Sequence, residues 1–250
     1  MTQTIKKHGG KILAVLFWLV VWHVAAVVVD NAFVLVTPFA AFKRLAELMT
    51  EIDFLRSVLR SLLRITAGML LALTVGVALA AAAFAWNKVA VLLSPFMSAV
   101  KSVPVASFTI LALFWLGSSK LSTFTAFLIA LPVVYTNVLG GLQSTDKATL
   151  EMAAVYKIAP LRRALHIYLP SAAPFFLSAC SLSIGMCWKA GVAAEVIGQP
   201  KGTLGEWLYY AKIYFSAADL FAVTAAVVAV SFAFEKAFMW ALSRAYSRLT

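Results

Sequence analysis

Long apolar runs, separated by short polar or basic stretches, make up most of this chain. A helix of about 20 predominantly apolar residues can cross a bilayer, and about six runs approach or exceed that length. They lie at residues 12–29, 65–86, 89–116, 121–142, 174–196 and 220–242. The pattern predicts an all-α, polytopic membrane protein with about six transmembrane helices, which leaves no length for a soluble catalytic domain.

Composition agrees with the membrane class. Of the 250 residues, 63% are hydrophobic and only 12% are charged, and the mean hydropathy of +0.93 lies far above that of soluble domains. The net charge of +11 is ordinary for a membrane protein. Since no cluster of basic and aromatic residues occurs in a soluble segment, nothing here indicates nucleic-acid binding.

Residues 1–36 are predicted to form an N-terminal anchor helix. Lys6, Lys7 and Lys11 precede its apolar run and favour a cytoplasmic amino terminus. The run is long and lacks a small-residue cleavage pattern, so we interpret it as a retained anchor and not as a signal peptide. The polar, amphipathic residues 38–60 that follow are expected to lie at the external interface without crossing.

Small residues recur every four positions in the second run, at Gly68, Ala72, Gly76 and Ala80. Such a stripe lets membrane helices approach each other closely. We therefore expect a packing face here, with little chemistry.

The third run, residues 89–116, contains Pro95, Lys101 and Pro104. Both prolines are expected to interrupt the helix, since proline removes a backbone donor. Broken membrane helices occur where backbone is buried in protein or lines a polar cavity, so this run is a candidate wall of a transport pathway. A cation at Lys101 would favour an anionic solute.

Lys189 and Glu195 place two further charges within a predicted span. Charge inside a membrane is costly and is a functional hypothesis by default. They lie about 9 Å apart along a helix axis and could instead pair with each other or snorkel to the outer interface. Lys101 could equally pair with Glu195 and leave the pathway neutral.

A short polar and basic segment, EMAAVYKIAPLRRALHIYLP at residues 151–170, lies between two apolar runs. By default such a basic loop is a signal for the cytoplasmic side. Glu151 suits the positive end of a helix, and Ala153 and Ala154 keep one side of the first turns free of bulky side chains. Bulky apolar and cationic side chains follow. Prolines at positions 160 and 170 each remove a backbone donor and disfavour a continuous helix.

The ordered residues of this segment resemble the EAA loop of bacterial ABC importer permeases, the coupling helix that docks into an ATPase subunit. The residues in register are Glu151, Ala153, Ile167, Leu169 and Pro170, whereas Lys157 stands where the family usually has glycine. The resemblance implies a cytoplasmic coupling loop at residues 145–170. Its ATPase-coupling residues would be Glu151, Ala153, Ala154, Lys157, Leu169 and Pro170.

The resemblance extends over about residues 37–248, to the nitrate, sulfonate, taurine and bicarbonate branch of these permeases. The elements that match are Thr37-Pro38, residues 61–68, Pro95, Lys101-Ser102-Val103-Pro104, Phe114-Trp115-Leu116-Gly117 and residues 188–195. It implies a type I ABC importer permease (MetI-like) architecture, with the permease domain at residues 37–250, in the bacterial inner membrane.

The same resemblance implies the partners and the solute class. It implies a homodimer of permeases, two cytoplasmic ATPases and an external substrate-binding protein, and a small anionic or organic solute such as a sulfonate, taurine or nitrate. The pathway candidates are Lys101, Pro104, Lys189 and Glu195.

A cytoplasmic coupling loop also puts five basic residues on the outer side, against the usual preference of basic residues for the cytoplasmic side. They are Lys43, Arg44, Arg56, Arg60 and Arg64. Snorkelling at the interface can accommodate them.

Other chemistry is scarce in this sequence. The three histidines are too dispersed to suggest a metal cage, and without a glycine-rich phosphate loop the chain is not expected to hydrolyse ATP itself. No cofactor is expected, and Cys180 and Cys187 are interpreted as small packing residues.

The alternative function, an ion-gradient-driven secondary transporter, would need acidic residues within the membrane and inverted repeats. Only Glu195 and Glu235 occur, near span ends, and no repeat is visible. A membrane enzyme would need a clustered catalytic set, which the sequence lacks.

Overall fold

The computed structural model describes residues 2–31 and 33–246, and within this part of the chain it contains helices and no strands. The helices are α1 Thr2–Val29, α2 Pro38–Leu48, α3 Ile52–Ala85, α4 Asn87–Ser102, α5 Val105–Leu116, α6 Ser118–Gln143, α7 Lys147–Val155, α8 Pro160–Arg163, a π-helical turn Ala164–Tyr168, α9 Leu169–Gly198, α10 Leu204–Ile213 and α11 Ala217–Tyr246. The predicted all-α class is confirmed.

Four of the described helical stretches are long and apolar enough to cross a membrane. They are Ile52–Ala85, Ser118–Gln143, Pro160–Gly198 and Ala217–Arg244. Helices α4 and α5 pass the same test as a pair, although they are bent by 105° at their junction, and α1 contributes a shorter apolar stretch, Leu13–Val29. Together these elements account for the predicted number of about six.

Helices α3, α6 and α9 pack side by side and form the centre of the bundle. The small residues predicted as a packing face are buried on α3, and a Cβ atom at Gly76 would lie 2.9 Å from Val134 Cβ of α6. At Gly68 an added Cβ would collide with the Thr123 carbonyl oxygen. Glycine is required at these contacts because the two backbones lie too close for any side chain.

Contacts along these helices fix their directions. A Cβ atom at Gly141 would lie 3.0 Å from Ala172 Cα, and one at Gly198 would lie 3.6 Å from Ser118 Cα, so α6 and α9 are antiparallel. Positions 68 and 76 of α3 meet positions 123 and 134 of α6, so those two helices are parallel. The bundle therefore has two ends, which we call the α7 end and the α10 end after the short helix at each.

The bent α4–α5 pair connects these two ends. Helix α3 finishes at the α7 end, where Phe84 packs edge-to-face on Tyr168 with ring centroids 5.0 Å apart, while α6 starts at the α10 end. The pair therefore crosses the bundle as a broken span. The break falls at Val103 and Pro104, both in extended conformation, whereas Pro95 lies inside an unbroken α4. The prediction that both prolines interrupt the helix is thus wrong for Pro95.

The predicted amphipathic stretch at residues 38–60 is divided in two. Only Pro38–Leu48 forms a separate helix, and the residues from Ile52 onward are the first turns of the long span α3. Helix α2 is tied to the start of α11, because Arg44 Nε donates to Asp219 Oδ1 at 2.5 Å. This hydrogen bond and the neighbouring carboxylates hold the pKa of the Arg44 guanidinium above its usual value.

Candidate coupling segment and translocation site

The predicted coupling loop begins with a capped helix, α7. Asp146 is its N-cap, and the carboxylate accepts hydrogen bonds from the Thr149 backbone N–H at 2.9 Å and from the Thr149 hydroxyl at 2.8 Å. These bonds favour the charged form, so the pKa of the Asp146 carboxyl is lowered from its usual value. The negative charge also suits the positive end of the helix.

Lys157 ends this helix in a left-handed conformation, with φ of +51°. The Ile158 N–H donates to the Ala153 carbonyl and the Lys157 N–H donates to the Ala154 carbonyl, each at 3.0 Å. This pair of bonds is a Schellman motif, which favours glycine at the left-handed position. The geometry gives a physical reason for the glycine that the resembled family usually has there, and Lys157 adopts the same turn at a cost in backbone strain.

Exposed apolar side chains cover α7 and the turn that follows it. We call Met152, Val155, Tyr156 and Leu161 the coupling patch, and they are between 49% and 78% exposed. Several large apolar side chains exposed on one short polar segment are typical of a protein interaction site. Glu151 and Ala154 are exposed beside it, but Ala153 is 0% exposed. Of the predicted Ala153–Ala154 docking face only Ala154 is exposed, because Ala153 is already buried inside this chain.

The second half of the coupling loop continues into the membrane span without a stop. Helix α8, the π-helical turn and α9 form one helical stretch, Pro160–Gly198. Pro170 lies inside this stretch, just after the π-helical turn, so it does not end a separate segment as expected. Leu169 and Pro170 line an apolar cavity of ≈320 Å³ at the α7 end. Movement of the coupling loop would thus be transmitted directly to α9.

Lys101 lies near the middle of the broken span and lines a small cleft. The cleft has a volume of ≈230 Å³, and Ser94, Ser98, Tyr135 and Thr136 bring hydroxyl groups to it. Lys101 is exposed, and no ion pair to it occurs among the described residues. Pro104 does not line the cleft, but it opens α5 at the bend. The arrangement offers a cation and several hydroxyls to a polar solute.

Glu195 has a different place from the one predicted. It is fully buried near the end of α9, where its carboxylate accepts from the Ser61 hydroxyl at 2.6 Å and from the Gly205 N–H at 3.3 Å. Ser61 Oγ in turn accepts from the Leu204 N–H at 2.9 Å. Since Leu204 and Gly205 open α10, Ser61 and Glu195 together cap that helix and join it to α3 and α9.

Neither of the two alternative ion pairs of Glu195 occurs in the described part of the chain. Among the described residues neither Lys101 nor Lys189 forms an ion pair with it. Lys189 is exposed and lines a cavity of ≈460 Å³ between α9, α10 and α11, together with Glu235. The structure does not bring the four predicted pathway residues into one site, because Lys101, Lys189 and Glu195 occupy separate surroundings.

Sequence reasoning missed the hydroxyl groups of the cleft and the capping serine. Ser94, Ser98 and Lys101 are spaced by four and three residues, which places them on one helix face, so this part of the cleft was visible as a pattern. Tyr135 and Thr136 carried no such signal, because their place depends on how α6 packs on α4. Ser61 lies 134 positions from Glu195, and no local pattern links the two.

A bundle of membrane-length helices, with an exposed apolar segment at one end and a broken span beside a cleft, is typical of a membrane transport permease. The chain matches the family of binding-protein-dependent transport system inner membrane components over residues 54–247. It belongs to this family, and it is a multi-pass ABC transporter permease of the bacterial inner membrane.

Several relatives cover a similar share of the chain. A Haemophilus influenzae protein named as an ABC transporter permease is 27% identical over 186 residues, covering 74% of this chain and 75% of that protein. A Bacillus subtilis protein named as an aliphatic sulfonates transport permease, SsuC, is 28% identical over 73% of this chain and 67% of its own length. ThiX of Halalkalibacterium halodurans, named as a formylaminopyrimidine transport permease, is 25% identical over 75% of each chain.

Proposed function

We propose that this permease forms the solute pathway of an ATP-driven importer, with ATP hydrolysed in a separate subunit. The observation that carries the proposal is the coupling patch on α7 and the turn after it, directly ahead of a helical stretch that continues from Pro160 into the α9 span. The α7 end is then the cytoplasmic end, and the α10 end faces outside. ATP binding in the partner would move residues 145–170 and, through them, α9.

The proposed solute is a small anionic compound, such as a sulfonate, taurine or nitrate. Relatives are named for aliphatic sulfonates and for formylaminopyrimidine, so their names do not decide between an anion and an uncharged ring. Lys101 favours the anion, because it brings a cation without a described counter-ion to a cleft lined by hydroxyls. A bound anionic solute would supply the counter-ion of the Lys101 ammonium group.

The proposed assembly has three kinds of partner. They are a cytoplasmic ATPase at residues 145–170, an external substrate-binding protein at the α10 end, and a second copy of the permease as a homodimer. Within the chain, residues 1–36 are proposed as an anchor and residues 37–250 as the permease domain.

The coupling role is tested by Val155→Asp, which places a charge in the centre of the coupling patch. Val155 is 78% exposed, so the substitution should leave the permease folded while weakening docking by about tenfold or more, as at an interface hot spot. The measurement is copurification of the ATPase with the permease, followed by uptake in vesicles. Lys147→Ala, on the same helix, is the matched control. Full recovery of the ATPase with Val155→Asp would refute the assignment.

A further inference from the structure

A second and larger polar cavity, of ≈600 Å³, opens at the α10 end of the bundle. It lies between the first turns of α3, the helix α10 and the start of α11. The cleft at Lys101 does not share residues with it. We call it the outer cavity.

One wall of the outer cavity is aromatic and rigidly held. Trp207, Tyr210 and Tyr214 follow each other at helical spacing. The Trp207 indole Nε1 donates to Ser57 Oγ at 3.0 Å, and its ring packs edge-to-face on Phe54 with centroids 5.4 Å apart. The rings of Tyr210 and Tyr214 stack with centroids 6.1 Å apart. This wall can cover an apolar group without rearrangement.

The carboxylates at the outer cavity already have donors within the chain. Asp53 accepts from Arg56 at 3.4 Å, and Asp219 accepts from the Ser216 hydroxyl at 2.7 Å as well as from Arg44. Glu206 accepts from the backbone N–H of Gly202. None of the three therefore requires an external cation.

Arg60 is the cation of the outer cavity that lacks such a partner. No hydrogen bond or ion pair to its guanidinium occurs among the described residues. The guanidinium lies against Gly202, which has φ of +65°, and an added Cβ at that position would collide with Arg60 Nη1. The left-handed turn favours glycine here, and the absence of a Cβ atom lets the guanidinium lie against the backbone.

We infer that the outer cavity binds a monoanionic oxyanion carried on an apolar body. Arg60 would hold the oxyanion through its planar fork of N–H donors, and the aromatic wall would cover the apolar part. Nearby carboxylates Asp53, Glu206 and Asp219 select against a dianion by repulsion. A role as the first contact of an imported solute rests on the proposed function, whereas the binding itself does not. A free alkanesulfonate and the phosphodiester of a lipid headgroup share this chemistry.

The test is calorimetric titration of 1-hexanesulfonate into the purified full chain in phosphatidylcholine nanodiscs. Wild-type protein should bind, and Arg60→Gln should bind at least about tenfold more weakly, as expected for loss of a charge-assisted hydrogen bond. Arg162→Gln, at an exposed arginine of the α7 end that lies outside the outer cavity, is the matched control and should leave the affinity unchanged. Tyr210→Ala should weaken hexanesulfonate more than methanesulfonate, since only the longer anion reaches the aromatic wall.

Competitors separate the two sources of the oxyanion. Displacement of 1-hexanesulfonate by phosphatidylglycerol in the nanodiscs would assign the site to a lipid headgroup, and no displacement would assign it to a free anion. Equal affinity in wild type and Arg60→Gln, absence of binding in phosphatidylcholine, or equally strong binding of sulfate would each overturn the inference. Vesicle uptake with Val155→Asp is independent of these titrations, so failure here leaves the importer proposal to its own test.

Discussion

Lys157 decides how the chain leaves α7, because its left-handed backbone lets the next residues fold back onto the helix end. For a residue with a Cβ atom this conformation costs about 1–2 kcal/mol, and the cost is borne at the centre of the proposed coupling segment. The Schellman bonds at 3.0 Å hold the turn in place against that strain. The segment therefore keeps its shape with a lysine where glycine is the less strained choice.

Lys157→Gly should stabilise the protein, because glycine adopts the left-handed turn without steric cost, although it also has more freedom when unfolded. The net gain should be up to about 1 kcal/mol, which raises the thermal midpoint by about 2–4 °C. Thermal unfolding of the purified protein measures it. Lys147→Gly, at the first residue of α7, is the control and should lower the midpoint. A lower midpoint with Lys157→Gly would contradict the strained turn.

Asp146 gives a residue-scale prediction about pH. Its pKa is lowered in the folded protein, so its contribution to stability is present above the unfolded pKa and is lost as the pH falls through the folded pKa. Asp146→Ala should therefore lower the thermal midpoint at neutral pH and match wild type below the usual aspartate range. Asp146→Asn keeps a capping oxygen without the charge, so its midpoint should depend less on pH. A wild-type advantage over Asp146→Ala that persists in strong acid would count against the charged cap.

At the scale of elements, the sequence predicted the spans well and their irregularities poorly. Apolar length determines where a helix can cross a bilayer, so runs such as residues 121–142 coincide with α6 to within a few residues. Proline alone does not determine where a helix breaks: α4 continues through Pro95, and the chain bends at Pro104. Which proline interrupts depends on neighbouring helices that satisfy the freed carbonyl, and the sequence does not contain those neighbours locally.

Glu195 is a second example of a feature whose role the local sequence does not predict. A carboxylate within a span was visible in the sequence, but its function as a helix cap depends on α3 and α10 meeting around it. Ser61 supplies one partner from α3, and Gly205 supplies the other from α10. Gly205 has no side chain to obstruct this contact, since an added Cβ would collide with Glu195 Cβ. The cap is thus a product of tertiary packing.

Ser61→Ala should loosen α10, because it leaves the Leu204 N–H without its buried acceptor and removes one of the two donors to the Glu195 carboxylate. The expected loss is about 1–3 kcal/mol, measured as a lower thermal midpoint and faster amide exchange in α10. Ser94→Ala, on α4 and away from this cap, is the control and should change stability little. Normal exchange in α10 would show that the cap does not hold it.

The helix cap at Glu195 also predicts the combined effect of substitutions at Glu195 and Lys101. Because they do not pair, Glu195→Gln and Lys101→Met should act additively on thermal stability, and the double variant should recover nothing. The full double-mutant cycle in thermal unfolding measures this. A double variant more stable than Glu195→Gln alone would restore the ion-pair hypothesis.

Over the whole molecule, the α7 end and the cleft at the broken span are connected through α6 and α9. Helix α9 extends the coupling loop across the bundle, and α6 packs along it from Gly141 to Ser118. The Lys101 cleft lies between α4 and α6, so displacement of the loop would alter the packing that shapes the cleft. We propose this chain of contacts as the mechanical route between the proposed ATPase and the proposed solute pathway.

Lys101→Met tests that route at its solute end. If Lys101 attracts the anion, its loss should slow uptake of 1-hexanesulfonate or taurine by about tenfold or more, which corresponds to one charge-assisted hydrogen bond. Copurification of the ATPase and the thermal midpoint should stay unchanged, because Lys101 is exposed and pairs with no described residue. Lys101→Arg keeps the charge and should lose less. Lys88→Met, on the same helix and also exposed, is the matched control. Equal uptake by Lys101→Met and Lys88→Met would show that Lys101 does not act in the pathway. If Lys101→Met lowered both the thermal midpoint and uptake, the role of Lys101 would be structural.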